Sequence, residues 1–258
     1  MNRSGKFDLL ILTLLLIFGI IISLAFNVKP LTSAFLFFAV PSVFLLFRRP
    51  KNLHRVFAGT FLFGLLFGFG FDFMALLNNA WSEPVTQLFF PNRILGIIAV
   101  DHIIWFIIWT LSIITFYEHF LEHDRSDKIK HNYWLGVYAA TFFIVAMLVL
   151  YYIAPTVLLF RYAYFTLGVA AILPLILLVI RRPHFFSKFA KVIPYFFSLY
   201  FSYELIAIYL GQWTFPGQYV GMVSILGLEF PFEEFLFWTI LSSVSILSYY
   251  ELFVDDGK

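Results

Sequence analysis

The feature that most constrains this chain is a succession of apolar runs, each long enough to cross a bilayer. A spanning helix takes about 20 apolar residues. Such stretches lie at roughly 7–27, 31–47, 56–77, 93–121, 133–153, 157–180, 187–210 and 220–250. The first is too long for a signal-peptide core, and no small-x-small cleavage site follows it, so it is read as a span. The fourth and eighth exceed one crossing and are expected to tilt, kink or run past the bilayer. Pro231, inside the eighth, is expected to bend that helix or to open one at its first position. Composition agrees with lipid as the solvent. Only 12% of residues are charged, against about 25% in soluble domains. Hydrocarbon offers the backbone no water, so the spans must be helices. The expected fold class is all-α integral membrane, with about eight transmembrane helices.

Basic residues set the orientation. Of the 17 Lys and Arg, only Lys29, Arg93 and Arg161 fall on the side away from the N-terminus. The positive-inside rule then puts both termini in the cytoplasm of a multi-pass cell-membrane protein and supports an even count of spans.

The chain also repeats itself. Pro41, Arg48, Arg49 and Pro50 recur 133 positions later as Pro174, Arg181, Arg182 and Pro183. Asp72, Trp81 and Pro84 recur as Glu204, Trp213 and Pro216. Ile94-Leu95-Gly96 recurs as Ile225-Leu226-Gly227, and Asp101, Trp105, Tyr117 and Glu118 as Glu234, Trp238, Tyr250 and Glu251. The order of matches predicts two tandem four-helix repeats, 1–132 and 133–258. An even helix count keeps both copies the same way up, giving a pseudo-twofold axis along the membrane normal.

Charge within hydrocarbon is costly and marks function or pairing. Asp8, Glu83, Glu118, Glu122, Asp124, Asp127, Glu251, Asp255 and Asp256 fall near span ends and are expected to be solvated helix termini. Six acids remain at membrane depth, all toward the outer side: Asp72, Asp101, Glu204, Glu229, Glu233 and Glu234. Burial favours the protonated carboxyl, and a neutral carboxylic acid in an apolar cavity is a proton donor. The same acids can instead act as interhelical polar glue. Around them stand Phe230, Pro231, Phe237, Trp238 and Trp105, candidate walls of a substrate site whose aromatic faces stabilise a cation. His102 either relays a proton or bonds a neighbouring helix.

Several classes are excluded. Without cysteine there is no disulfide, thiolate metal site or Cys nucleophile. No metal-ligand spacing, P-loop, GxSxG or dinucleotide fingerprint occurs, so neither metal nor nucleotide cofactor is expected. A net charge of +2 makes nucleic acid an improbable partner.

Pro231-Phe-Glu233-Glu234-Phe-Leu-Phe237 resembles the hallmark of the lycopene cyclase domain family, the small membrane cyclases found as paired subunits or tandem fusions. Glu204 and the Trp213 loop match that family's upstream acid and tryptophan. The first half reads Ile98-Ala-Val-Asp101-His-Ile-Ile-Trp105 and lacks the Pro-x-Glu-Glu. The resemblance implies a lycopene β-cyclase, an isomerase that closes β-ionone rings on linear lycopene to give β-carotene with no net redox change and no cofactor. Its partners would be lycopene, the bilayer and other membrane enzymes of carotenoid synthesis. Glu233 and Glu234 lead as proton donor and partner, with Asp101, Asp72, Glu204 and Glu229 completing the acid set. The alternatives are a cyclase of longer carotenoids, an end-group hydratase, and a proton-coupled transporter or carotenoid-binding protein.

Overall fold

The structure, a computed structural model, describes residues 3–48, 52–122 and 128–255. Arg49, Pro50, Asp124, Asp127 and Asp256 lie outside the described residues. Among those described, seven helices are long and apolar enough to cross a bilayer, and a bent pair supplies the eighth. They are α1 (Ser4–Phe26), α2 (Pro30–Arg48), α3 (Leu53–Leu77), α4 (Val100–Phe120), α5 (Tyr133–Ile153), α6 (Ala163–Arg181), α7 (His184–Ala190 with Ile193–Tyr209, bent by 44°) and α8 (Glu234–Phe253). The chain is an all-α, multi-pass membrane protein.

The helices alternate in direction between two faces of the bundle. Their breaks fall where a residue can turn left-handed: Asn27 (φ 46°) after α1, Asn79 (φ 55°) after α3 and Gly211 (φ 61°) after α7. One face of the bundle gathers the terminal segments, where Arg48 Nε donates to Asp8 Oδ1 at 2.8 Å and Lys130 N to Val254 O at 2.9 Å. The opposite face holds the 27–30, 78–99, 154–162 and 210–233 connections. There Gln212 Nε2 donates to Val28 O at 2.7 Å and Asn78 Nδ2 to Leu158 O at 3.0 Å.

Two stretches differ from expectation. The long fourth and eighth apolar runs are not single tilted helices; each begins with a β-hairpin on the opposite face. β1 (Arg93–Ile94) pairs with β2 (Ile98–Ala99), and β3 (Met222–Ile225) with β4 (Leu228–Pro231), both antiparallel. Their turns carry Leu95-Gly96 and Leu226-Gly227 at positive φ, the backbone state tight hairpins demand. Apolar composition alone cannot separate a short strand from the helix it feeds. Pro231 neither bends α8 nor sits at its first helical position. It closes β4, where a missing N–H is tolerated at the strand end, and helix begins at Phe232.

α4 is the centre of the bundle, with 67% of its most apolar window buried, whereas α5 has only 17% buried. The apolar outer faces of α1, α5 and α6 are what a lipid-facing rim requires. The acids expected at solvated helix ends are mostly buried instead, Asp8, Glu83, Glu251 and Asp255 among them. On the terminal face they are paired. Asp8 meets Arg48 and His119, Asp255 meets Arg55, and Lys188 Nζ lies 3.1 Å from Glu251 Oε1. Tyr117 donates to Glu251, and Tyr250 donates to Glu118.

Candidate functional site

Long helices fix the heights of their side chains, and α3, α4, α6, α7 and α8 all end near the hairpin face. Their polar residues meet in one cavity of about 360 Å³, within the range of ligand pockets, about 300–1,000 Å³. Asp72, Asp101, His102, Glu204 and Glu234 line it, along with Glu83 from the 78–99 connection.

The polar groups form two sets. In one, Glu204 of α7 and Glu234 at the start of α8 stand as neighbouring buried carboxyls in the cavity wall. Tyr164 of α6 donates to Glu234, and Trp213 Nε1 donates to Glu204 Oε1 at 3.0 Å. Two carboxyls side by side away from water repel strongly if both are ionised, so the pair is suited to hold an acidic hydrogen. Glu204 is 1% exposed and Glu234 5%, which leaves that hydrogen facing the cavity rather than water.

In the other set, His102 lies between two acids. Its Nδ1 is 2.8 Å from Asp72 Oδ2, and its Nε2 contacts Glu83 Oε1. Either both ring nitrogens carry hydrogen or one acid does. In each case the trio is net negative and can take up one further proton. Arg93, 4.0 Å from Glu83, offsets part of that charge. Burial pushes the Glu83 carboxyl above its ordinary range, against the pull of His102 and Arg93. Glu83, expected at a solvated helix end, is thus a buried member of the site. Tyr164 carried no signal at all, being one tyrosine in an apolar helix.

Asp101 has a different occupation. Its two oxygens accept the backbone N–H groups of Phe89 and Phe90 at 2.8 and 2.9 Å, and Lys29 Nζ donates to Leu88 O at 3.0 Å. Asp101 therefore holds the 84–90 connection, whose Leu88 lines the cavity.

The remaining wall is aromatic. Five of the six tryptophans line the cavity, all but Trp134. Trp105 and Trp109 each lie 4.9 Å from Trp238, centroid to centroid, and Tyr200 stacks on Trp238 at 4.9 Å. Trp105 Nε1 donates to Tyr203 Oη at 2.8 Å. Phe237 lines the cavity beside Gly168 of α6.

Four candidate residues lie away from this lining. Glu229 is exposed on β4 opposite Ser224. Phe230 and Pro231 are buried at the strand end. Glu233 is fully buried, and its Oε1 accepts the Val220 N–H at 2.6 Å. It thus ties the 219–221 segment to the first turn of α8.

Only Glu122, Glu251 and Asp255 cluster at metal-like spacing among the described residues. Lys188 is paired with the first two and Arg55 with the third, so that charge is already matched by cations.

Comparison of the chain with protein-family models, with curated proteins and with solved structures finds no match.

Proposed function

We propose that this protein is a membrane isomerase that cyclises the ends of a linear polyene by proton transfer, with lycopene as substrate and β-carotene as product. The observation that carries the reading is the buried Glu204–Glu234 carboxyl pair set against a tryptophan-walled cavity. Glu234 gives its proton to the terminal double bond of the polyene, creating a tertiary cation. The electrons of the next internal double bond attack that centre, close the six-membered ring and move the cation onto the ring. Loss of a ring proton restores a double bond, so atoms and electrons balance without a redox partner. The aromatic faces of Trp105, Trp109 and Trp238 stabilise the migrating charge, at about 2 kcal/mol for each well-placed dry face. The Asp72–His102–Glu83 trio, one proton short of neutral, is the acceptor on the other side of the cavity. The proton it gains must return to Glu204–Glu234 before the next turnover.

The architecture proposed for this chemistry is a duplicated four-helix unit, 1–132 and 133–258, about a pseudo-twofold axis along the membrane normal. Matched hairpins before α4 and α8, and the crossed Tyr117–Glu251 and Tyr250–Glu118 bonds, support it. The basic-residue bias supports cytoplasmic termini in the cell membrane.

The test is expression in a lycopene-accumulating host, with the protein quantified in membranes and the pigments separated. Monocyclic and bicyclic products are expected. Unchanged lycopene beside abundant folded protein overturns the reading, and a hydrated end group redirects it to water addition at the same cation.

A further inference from the structure

The cavity extends well beyond the acids. Along α8 its lining runs from Glu234 through Ser242 to Tyr249, a rise of about 20 Å at roughly 1.5 Å per residue. A void of modest volume drawn out over that length is a slot, suited to a chain-like molecule rather than a compact one. Its inner half is walled by Phe63 and Phe67 of α3, Ala171 of α6 and Ile246 of α8, with no charged group among them.

This inner half also reaches the outside of the bundle. Phe143 of α5 and Ala170 of α6 both line the cavity, and both are exposed. α5 and α6 both pack on α3 and on α8 but barely touch each other. With Phe143 and Ala170 exposed along it, the seam between them faces hydrocarbon. The Phe143 ring lies across Gly70, close enough that a Cβ there would sit 2.9 Å from it. One movable aromatic ring therefore stands at the seam.

We propose that the α5–α6 seam is a lateral portal through which a linear apolar polyene passes from the bilayer, its end group reaching Glu234 while its chain lies along the α8 slot. The inference rests on the proposed cyclase reading for the identity of the polyene, but its readout is binding. A substrate insoluble in water is delivered by the bilayer, and on the hairpin face Asp101 and Lys29 fix the 84–90 connection, whose Leu88 lines the cavity.

The absence of cysteine makes the seam directly addressable. Phe143→Cys and Ala170→Cys are introduced together with Trp134→Phe, leaving only cavity tryptophans to report. The protein is placed in lipid nanodiscs containing lycopene, and tryptophan quenching by energy transfer to the polyene is measured before and after bridging with a cleavable bis-maleimide. The single-cysteine variants receive the same reagent as controls, and Ala170→Phe serves as an independent plug at a lipid-facing position. Saturable quenching is expected, weakened about tenfold or more in apparent affinity by the bridge or the plug, and restored on cleavage. Quenching that is unchanged by both the bridge and the plug overturns the portal. Ring formation that persists at full rate with the seam closed also overturns it and leaves the cyclase reading standing. Portal-dependent quenching without any ring product upholds the portal and removes the cyclase reading.

Discussion

At the scale of single residues, the two adjacent glutamates separate. Glu234 stands beside Glu204 inside the cavity, whereas Glu233 is bonded to the Val220 N–H outside its lining. Glu234→Gln is expected to lower the cyclisation rate by about 10²–10⁴, the usual worth of a general acid, with the melting temperature little changed. Glu233→Gln is expected to do the reverse, lowering the melting temperature while sparing most of the activity per folded molecule. Asp101→Asn belongs with Glu233. It weakens two charge-assisted bonds to Phe89 and Phe90 and should cost about 1–3 kcal/mol of stability. Glu83 sets an acid limit. Its carboxyl is raised by burial, so it gains a proton at a higher pH than an ordinary glutamate, about 4.3. Once neutral, it no longer draws a proton from His102. Activity should therefore fall as pH drops through that raised value, and Glu83→Gln should flatten this limb of the pH–rate profile. The acids themselves were legible because charge in an apolar run stands out. Their division of labour was not, because one residue of register at a strand–helix junction decides which glutamate meets the cavity.

At the scale of elements, the spans followed from hydropathy, since lipid leaves the backbone no alternative to helix. The hairpins did not. Arg93-Ile-Leu-Gly-Ile-Ile-Ala runs into its helix without a polar break, and Glu229 and Pro231 after Met222-Val-Ser-Ile are too few to interrupt an apolar run of spanning length. Their one visible sign was the repeated Leu-Gly, which became meaningful only once both leucines proved to have positive φ. A leucine in that state costs about 1–2 kcal/mol, and Leu226 is 86% exposed, so no packing inside the protein offsets the cost. Leu226→Asn, a residue tolerant of positive φ, should raise the melting temperature measured in detergent. A fall would mean that the leucine makes a contact outside the bundle. Gly168 gives the opposite forecast. A Cβ there would overlap the Phe237 ring, so Gly168→Ala must push Phe237 into the cavity or lift α6 from α8. About 1–3 kcal/mol of destabilisation is expected, together with weaker substrate binding.

At the scale of the whole molecule, the contacts that join the halves are distributed over both faces. Ser82 and Thr214 exchange backbone hydrogen bonds at 2.9 and 2.8 Å on the hairpin face. Tyr117, Tyr250, Glu118 and Glu251 cross on the terminal face, with Arg55 buried against Asp255 beside them. The cavity also draws on both halves, taking Asp72 and His102 from one and Glu204 and Glu234 from the other. The proposed duplication accounts for these residues pairing across the centre. In the proposed reaction neither half contains a complete proton circuit: the donor pair belongs to the second and the acceptor trio to the first. Chains 1–132 and 133–258 expressed alone should therefore be inactive. Expressed together, they should co-purify and regain ring formation, because a cut in the 121–132 connection leaves every cross-half contact named above in place. Loss of co-purification in a Tyr117→Phe, Tyr250→Phe double variant would show how much of the assembly those buried bonds carry. Activity from either half alone would show that its own acids both donate and accept the proton, and the division of the circuit between halves would then have to be abandoned.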